Sequence, residues 1–154
     1  MTYERNLMMK VLKTNLMLIM LSAMSLIGCN THSTKTYVLT TTSYGYDASY
    51  IPYIVELNGE ELGGGLGSGT KRSAVITGAQ YIKWGEGNSS KKHIATNVPT
   101  LTNENLKDKK YLAVHIYPDD SVEINLSNEL PDATEKGLEW RAKIIDELKV
   151  KEKK

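Results

Sequence analysis

The run Leu26-Ile27-Gly28-Cys29 closes an apolar stretch near the N-terminus and decides how much of the chain is left to fold. A small residue before a cysteine lets the thiol be diacylated, and cleavage then leaves that cysteine as the mature N-terminus. Lys10 and Lys13 supply a positive n-region, and the apolar run from Leu16 to Gly28 is about 13 residues long. A spanning helix needs about 20 apolar residues, so a removable signal peptide is expected rather than a permanent anchor. The expected organisation is a signal peptide over 1–28, an acylated Cys29 with a polar tether over 29–36, and one globular β-rich domain over 37–154. Glu4 is unusual in an n-region. Starts at Met1, Met8 and Met9 stay open as alternatives, Met9 giving a conventional Met-Lys opening.

Composition changes at the same point. All six methionines precede Cys29 and none follows it. Cys29 is also the chain's one cysteine, so an internal disulfide is excluded and acylation explains an otherwise unpaired thiol. The part from Cys29 onward carries 16 Lys and Arg against 17 Asp and Glu. A near-neutral domain neutralises phosphates poorly, so no nucleic-acid partner is expected. Asn30-Thr-His-Ser-Thr-Lys-Thr36 is polar and aperiodic, and reads as a tether reaching about 20 Å when extended. His32 reads there as a solvated residue.

From Tyr37 the pattern is β. Tyr37–Tyr44 and Ile51–Leu57 are rich in β-branched and aromatic residues, with Pro52 placing the second at an edge or a strand start. Asn58-Gly59 signals a primed turn. Ser73–Thr77, Gln80–Trp84, His93–Val98, Tyr111–Tyr117 and Ser121–Leu126 follow as further strands, the last two joined through Pro118-Asp119-Asp120. Val114, Ile116, Val122, Ile124 and Leu126 alternate, so each strand can bury one face. His115 is then expected on the solvated face. The fold class expected is mainly β, an antiparallel sandwich or barrel-like sheet.

The period changes near the C-terminus. Leu138, Arg141, Ile145 and Leu148, with Ile144 and Trp140 near, predict a final amphipathic helix, and Asp132…Glu135 suggests a capping-box variant behind Pro131. Gly137 should weaken the first turn by about 1 kcal/mol relative to Ala. Lys149, Lys151, Lys153 and Lys154 form a basic end that suits the helix dipole, and contact with an anionic membrane surface is the weaker reading.

No catalytic signature emerges. Gly63-Gly-Gly-Leu-Gly-Ser-Gly-Thr-Lys71 lacks the closing Gly-Lys-Ser/Thr of a phosphate loop, and reads as a flexible or hairpin-forming glycine loop. His93 and His115 lack metal-ligand spacing, and no Gly-x-Ser-x-Gly occurs. Asp119-Asp120 falls far short of the six to eight oxygens that calcium takes. No enzyme activity, cofactor or metal is therefore expected. Tyr44, Tyr46, Tyr50 and Tyr53 crowd a turn-like segment. Tyrosine is enriched at interfaces, so these four are candidate partner-binding residues; core or rim packing is the commoner use, especially in a chain with no Phe.

A lipobox, a strand, Asn58-Gly59, the glycines around Gly63–Gly69, a central Trp84 and the run His115-Ile-Tyr-Pro-Asp-Asp-Ser-Val-Glu-Ile124 together resemble a group of small bacterial lipoproteins of uncharacterised domain type. The resemblance covers roughly Tyr37 to Leu126, and its most specific piece is His-Ile-Tyr-Pro-Asp-Asp. Some members look like immunity partners of lipase-type effectors delivered by type VI secretion. The resemblance implies a periplasmic immunity protein, lipid-anchored through Cys29, that blocks a phospholipase-type toxin by binding it. A structural or assembly lipoprotein of the envelope is the alternative. Asn30 is not the aspartate usual for inner-membrane retention, so an outer-membrane location facing the periplasm is expected.

Overall fold

The computed structural model describes residues 34–64 and 69–153. The signal peptide expected over 1–28, Cys29 and its lipidation, and most of the tether lie outside the described residues, as do residues 65–68 of the glycine run.

The described chain is mainly β, with mostly antiparallel sheets and a C-terminal helix. One four-stranded sheet has the order β10-β9-β1-β4, from β1 (Thr36–Gly45), β4 (Lys71–Ile76), β9 (Tyr111–Ile116) and β10 (Val122–Ser127). A second has the order β3-β2-β6-β7, from β2 (Pro52–Leu57), β3 (Glu60–Glu61), β6 (Ile82–Glu86) and β7 (Lys92–Ile94). β5 (Gly78–Ala79) and β8 (Thr100–Leu101) pair as a small ribbon, followed by the single helical turn α1 (Asn103–Leu106). Helix α2 (Glu135–Glu152) ends the fold. Neither large sheet closes, so the barrel expectation is replaced by two open sheets.

Local chemistry accounts for the connections. Asn58 and Gly59 both take positive φ, 52° and 86°, the primed turn that matches strand twist between β2 and β3. Pro52 opens β2, where a missing amide donor is tolerated. After Pro118, Asp120 sits at φ 59° and the Asp119 carboxylate accepts from the Ser121 amide at 3.0 Å. The glycines beyond β3 serve close approach rather than freedom. A Cβ on Gly63 would lie 2.4 Å from the Thr41 carbonyl oxygen, and one on Gly64 would lie 2.6 Å from the Ser43 amide nitrogen.

One departure from the antiparallel expectation organises the rest. β1 and β9 pair in parallel, Thr42 opposite Ala113 and Tyr44 opposite His115. A parallel pair needs a long crossover, and here the whole second sheet lies between them in sequence. β9 becomes an interior strand, buried from Leu112 to Ile116. Leu112, Val114 and Ile116 join Leu39, Val55, Leu57, Val75, Ile82 and Trp84 in one core drawn from both sheets. Each such side chain contributes about 1.5–3 kcal/mol on full burial. Ala113, His115 and Tyr117 occupy the opposite face of β9 and are equally buried. His115, expected on a solvated face, is only 1% exposed, because that face is roofed by Tyr44, Tyr46 and the approach to α2.

Helix α2 starts two residues later than the sequence suggests. Its cap is Thr134, whose Oγ1 accepts from the Gly137 amide at 3.1 Å, and not Asp132. Gly137 alone is buried; Leu138 is 52% exposed and Ile144, Ile145 and Leu148 are half-buried. The helix touches the sheets by its tip, where an amphipathic face was expected to pack.

Candidate functional site

The four candidate tyrosines separate into different environments. Tyr44 and Tyr46 flank His115, with ring centroids 5.3 and 6.0 Å from the imidazole and nearly parallel planes. Tyr44 donates to the Pro131 carbonyl at 2.6 Å and is half-buried, which raises its phenol pKa. Tyr46 is 2% exposed and bonded to His115 and Thr134, so it offers no surface to a partner, a correction to its expected role. Burial explains the miss: Tyr46 follows β1 and continues its ladder, its amide donating to the Ile116 carbonyl at 3.0 Å.

Tyr50 belongs to a second cluster. It accepts from Trp84 Nε1 at 3.1 Å, and burial pushes its phenol up to about 12. The His93 ring lies between Tyr50 and Trp84, centroids 5.1 and 5.3 Å away. Both imidazole nitrogens face carboxylates, Nε2 at 3.0 Å from Glu86 and Nδ1 at 2.9 Å from Asp120. Glu86 belongs to β6 and Asp120 to the β9–β10 turn, so His93 clasps one sheet to the other. Ser89, His93 and Lys91 hold the Glu86 carboxyl down to about 2.

Ser89, Glu86 and His93 are hydrolase residue types, but they are not bonded in the order of a nucleophile, base and carboxylate. Ser89 Oγ donates to Glu86 Oε2 at 2.7 Å and is not bonded to the imidazole. A nucleophilic serine needs the base itself at its hydroxyl, with the carboxylate behind the base. Among the described residues no group of three or more His, Cys, Asp or Glu side chains could hold a metal ion.

Tyr53 alone of the four is plainly exposed, at 44%. It lies on the outer face of the second sheet, where the register sets out two rows. Tyr53, Gly85 and Lys92 form one, and Glu56, Lys83 and Ile94 the other. Gly85 leaves the middle of the first row without a side chain. The result is an apolar depression of about 420 Å³, bounded by Ile54 and Ile94 and closed at one end by the Ser89–Lys91 turn. Ile94 is 74% exposed. Lys83 pairs with Glu56 at 3.0 Å across the strands, and Lys91 pairs with Glu86 at 3.1 Å.

Ile54 gives this face its unusual feature. The β2–β6 register slips between Tyr53 and Glu56, a bulge, and within it Ile54 takes φ 46°. Cβ branching makes that conformation costly, about 1–3 kcal/mol. The bulge turns Ile54 outward beside Tyr53 instead of into the core. Sequence reasoning missed Ile54, Gly85 and Ile94. A lone glycine inside a strand pattern signals a bulge or a close approach, so Gly85 was detectable; Ile54 carried no local signal.

Among the described residues no helix is long and apolar enough to cross a membrane. Comparison with known proteins yields no matching family model, no matching curated protein and no matching solved structure. The site is therefore read from its own geometry.

Proposed function

We propose that this chain is a lipid-anchored protein of the cell envelope that acts by binding another protein, most concretely a periplasmic immunity protein that blocks a secreted phospholipase-type toxin. The address rests on Leu26–Cys29. The binding reading rests chiefly on Ile54, an exposed β-branched residue held at positive φ next to an apolar depression. Strain of this kind persists where the surrounding structure enforces it, and clusters at ligand clamps and functional surfaces. Tyr53 supplies a stiff aromatic edge, Ile54 and Ile94 supply apolar contact, and Lys92 at the rim suits an acidic neighbour on the partner. A protein that blocks by occupation needs such a surface and no reaction chemistry.

The test is co-expression with a phospholipase-type toxin directed to the periplasm. Survival with this chain and death without it supports the reading. Equal killing in both cases sinks it and leaves envelope assembly as the role. Gly85→Val locates the surface, since a Cβ there meets the Tyr53 carbonyl oxygen at 3.5 Å, ordinary contact, and fills the depression. The variant should fold and lose protection. Fatty-acid probe labelling tests the anchor separately: it should vanish in Cys29→Ala, and persistence of label would rule acylation of Cys29 out.

A further inference from the structure

His115 lies between two tyrosines whose hydroxyls hold the same stretch of chain. Tyr44 Oη donates to the Pro131 carbonyl at 2.6 Å, and Tyr46 Oη accepts from the Thr134 amide at 2.8 Å. Thr134 is the N-cap of α2, and Pro131 begins the segment that leads into it. The imidazole stacks on both rings and bonds one of them, Nδ1 standing 2.8 Å from Tyr46 Oη. Its other nitrogen, Nε2, is buried without a hydrogen-bond partner among the described residues. Gly137 of α2 rests directly on the Tyr46 ring.

From this arrangement we propose that His115 is an acid-operated latch for α2: the neutral ring keeps the helix tip docked, and protonation releases it while the two-sheet body stays folded. With Tyr46 donating to Nδ1, the neutral ring keeps its single N–H at Nε2, an unpaired donor that carries no full charge. The cation carries N–H on both nitrogens, and the one at Nε2 would be a charged donor with nothing to receive it. Protonation also removes the lone pair at Nδ1, so Tyr46 can no longer donate there and its hydroxyl must reorient at Thr134. Burial already holds the ring below the ordinary histidine range, with the Glu123 carboxylate opposing.

The ionisable groups around the ring do not supply the missing acceptor. Glu123 of β10, opposite His115 in register, is committed to Tyr117 Oη at 2.8 Å and Lys136 Nζ at 2.7 Å. Lys136 of α2 adds positive charge and lies 4.0 Å over the Tyr117 ring. Asp132 acts on Tyr44, which together with Tyr46 and Tyr117 completes the set. The body is held separately by the shared core and by His93, which bonds Glu86 and Asp120. The helix depends on its first turn. Release at the tip therefore frees the element without opening the core.

Hydrogen exchange by mass spectrometry on the full chain, corrected for the intrinsic pH dependence of exchange, reads this directly. Between pH 7 and pH 5, protection over 131–145 should fall several-fold, because the released ring binds a proton more readily than the docked one, while 111–127 stays unchanged. His115→Gln keeps an acceptor for Tyr46 and cannot titrate, so its helix tip should show no such fall. Tyr46→Phe, which cuts the ring from Thr134, should give a tip of low, pH-independent protection should His115→Gln fold poorly. Unchanged tip protection in the natural chain overturns the latch. So does an equal fall in either variant, and so does loss of the strands together with the helix. None of these readouts depends on what the outer face of the second sheet binds.

Discussion

Gly137 and Tyr46 meet so closely that no larger residue fits between them: a Cβ on Gly137 would lie 2.2 Å from the ring atoms of Tyr46. A glycine that costs helix propensity is thus the residue that lets α2 dock. Gly137→Ala should gain about 1 kcal/mol in the isolated helix and lose about 1–3 kcal/mol to overpacking against the buried ring. The expected outcome is a net loss, read as a lower urea midpoint with an unchanged slope. A midpoint that rises would mean the helix tip yields easily.

Ile54 offers a substitution with opposite effects on stability and binding. Ile54→Gly removes the conformational penalty at φ 46° and should stabilise the domain by about 1 kcal/mol. The side chain is 44% exposed, so little burial is lost. Partner capture should weaken in the same variant. Thermal unfolding and co-precipitation of the co-expressed effector check the two halves, and a destabilised variant would show that Ile54 packs more than its exposure indicates.

The clasp at His93 should be expensive to break. His93→Leu takes the imidazole from Asp120, leaves Glu86 to Ser89 and Lys91, and removes a ring stacked between Tyr50 and Trp84. Hydrogen bonds to charged groups contribute about 1.5–3 kcal/mol each, so a loss of about 2–3 kcal/mol is expected by chemical denaturation. Trp84 fluorescence should shift toward red as its neighbour opens. A loss below half a kilocalorie would show the clasp to be ornamental.

His115 and Glu86 both shape the acid response, and they act in the same direction; Glu104, Asp119 and Glu123, also held below the usual carboxylate range by their hydrogen bonds, add to it. Burial holds His115 below the ordinary histidine value of 6.5, so its contribution is fully present above that pH and is lost as pH falls toward the lower folded value. Glu86 is held down to about 2 from 4.5, so its contribution is present above about 4.5 and is lost as pH falls toward 2. Stability should therefore decline first below pH 6.5 and again below pH 4.5. Urea midpoints across that range check it; His115→Gln should remove the first decline and Glu86→Gln should shrink the second, which Glu104, Asp119 and Glu123 share.

Much of the fold was legible residue by residue. The alternation of Val114 and Ile116 and of Val122 and Ile124, the Asn58-Gly59 turn, Pro118-Asp119-Asp120 and the helical period after Pro131 are local patterns, and each produced its element within a few residues. The four tyrosines were legible as a cluster but not as four separate fates. Which face a tyrosine takes depends on a strand neighbour far away in the chain: Tyr44 meets His115 through pairing with β9, whereas Tyr50 meets His93 through the second sheet.

What sequence alone determined was therefore the alphabet of elements, because periodicity and turn chemistry act over a few residues. Tertiary structure decided everything that depends on pairing at a distance. The parallel union of β1 with β9 turned His115 from a supposed surface residue into a buried one. The slip in register at Tyr53 put Ile54 outside, and the fit against Tyr46 turned Gly137 from a weak spot into a contact. No local rule encodes these outcomes, since register is set by the best packing of two faces, and the residues on one strand do not reveal which strand will cover them.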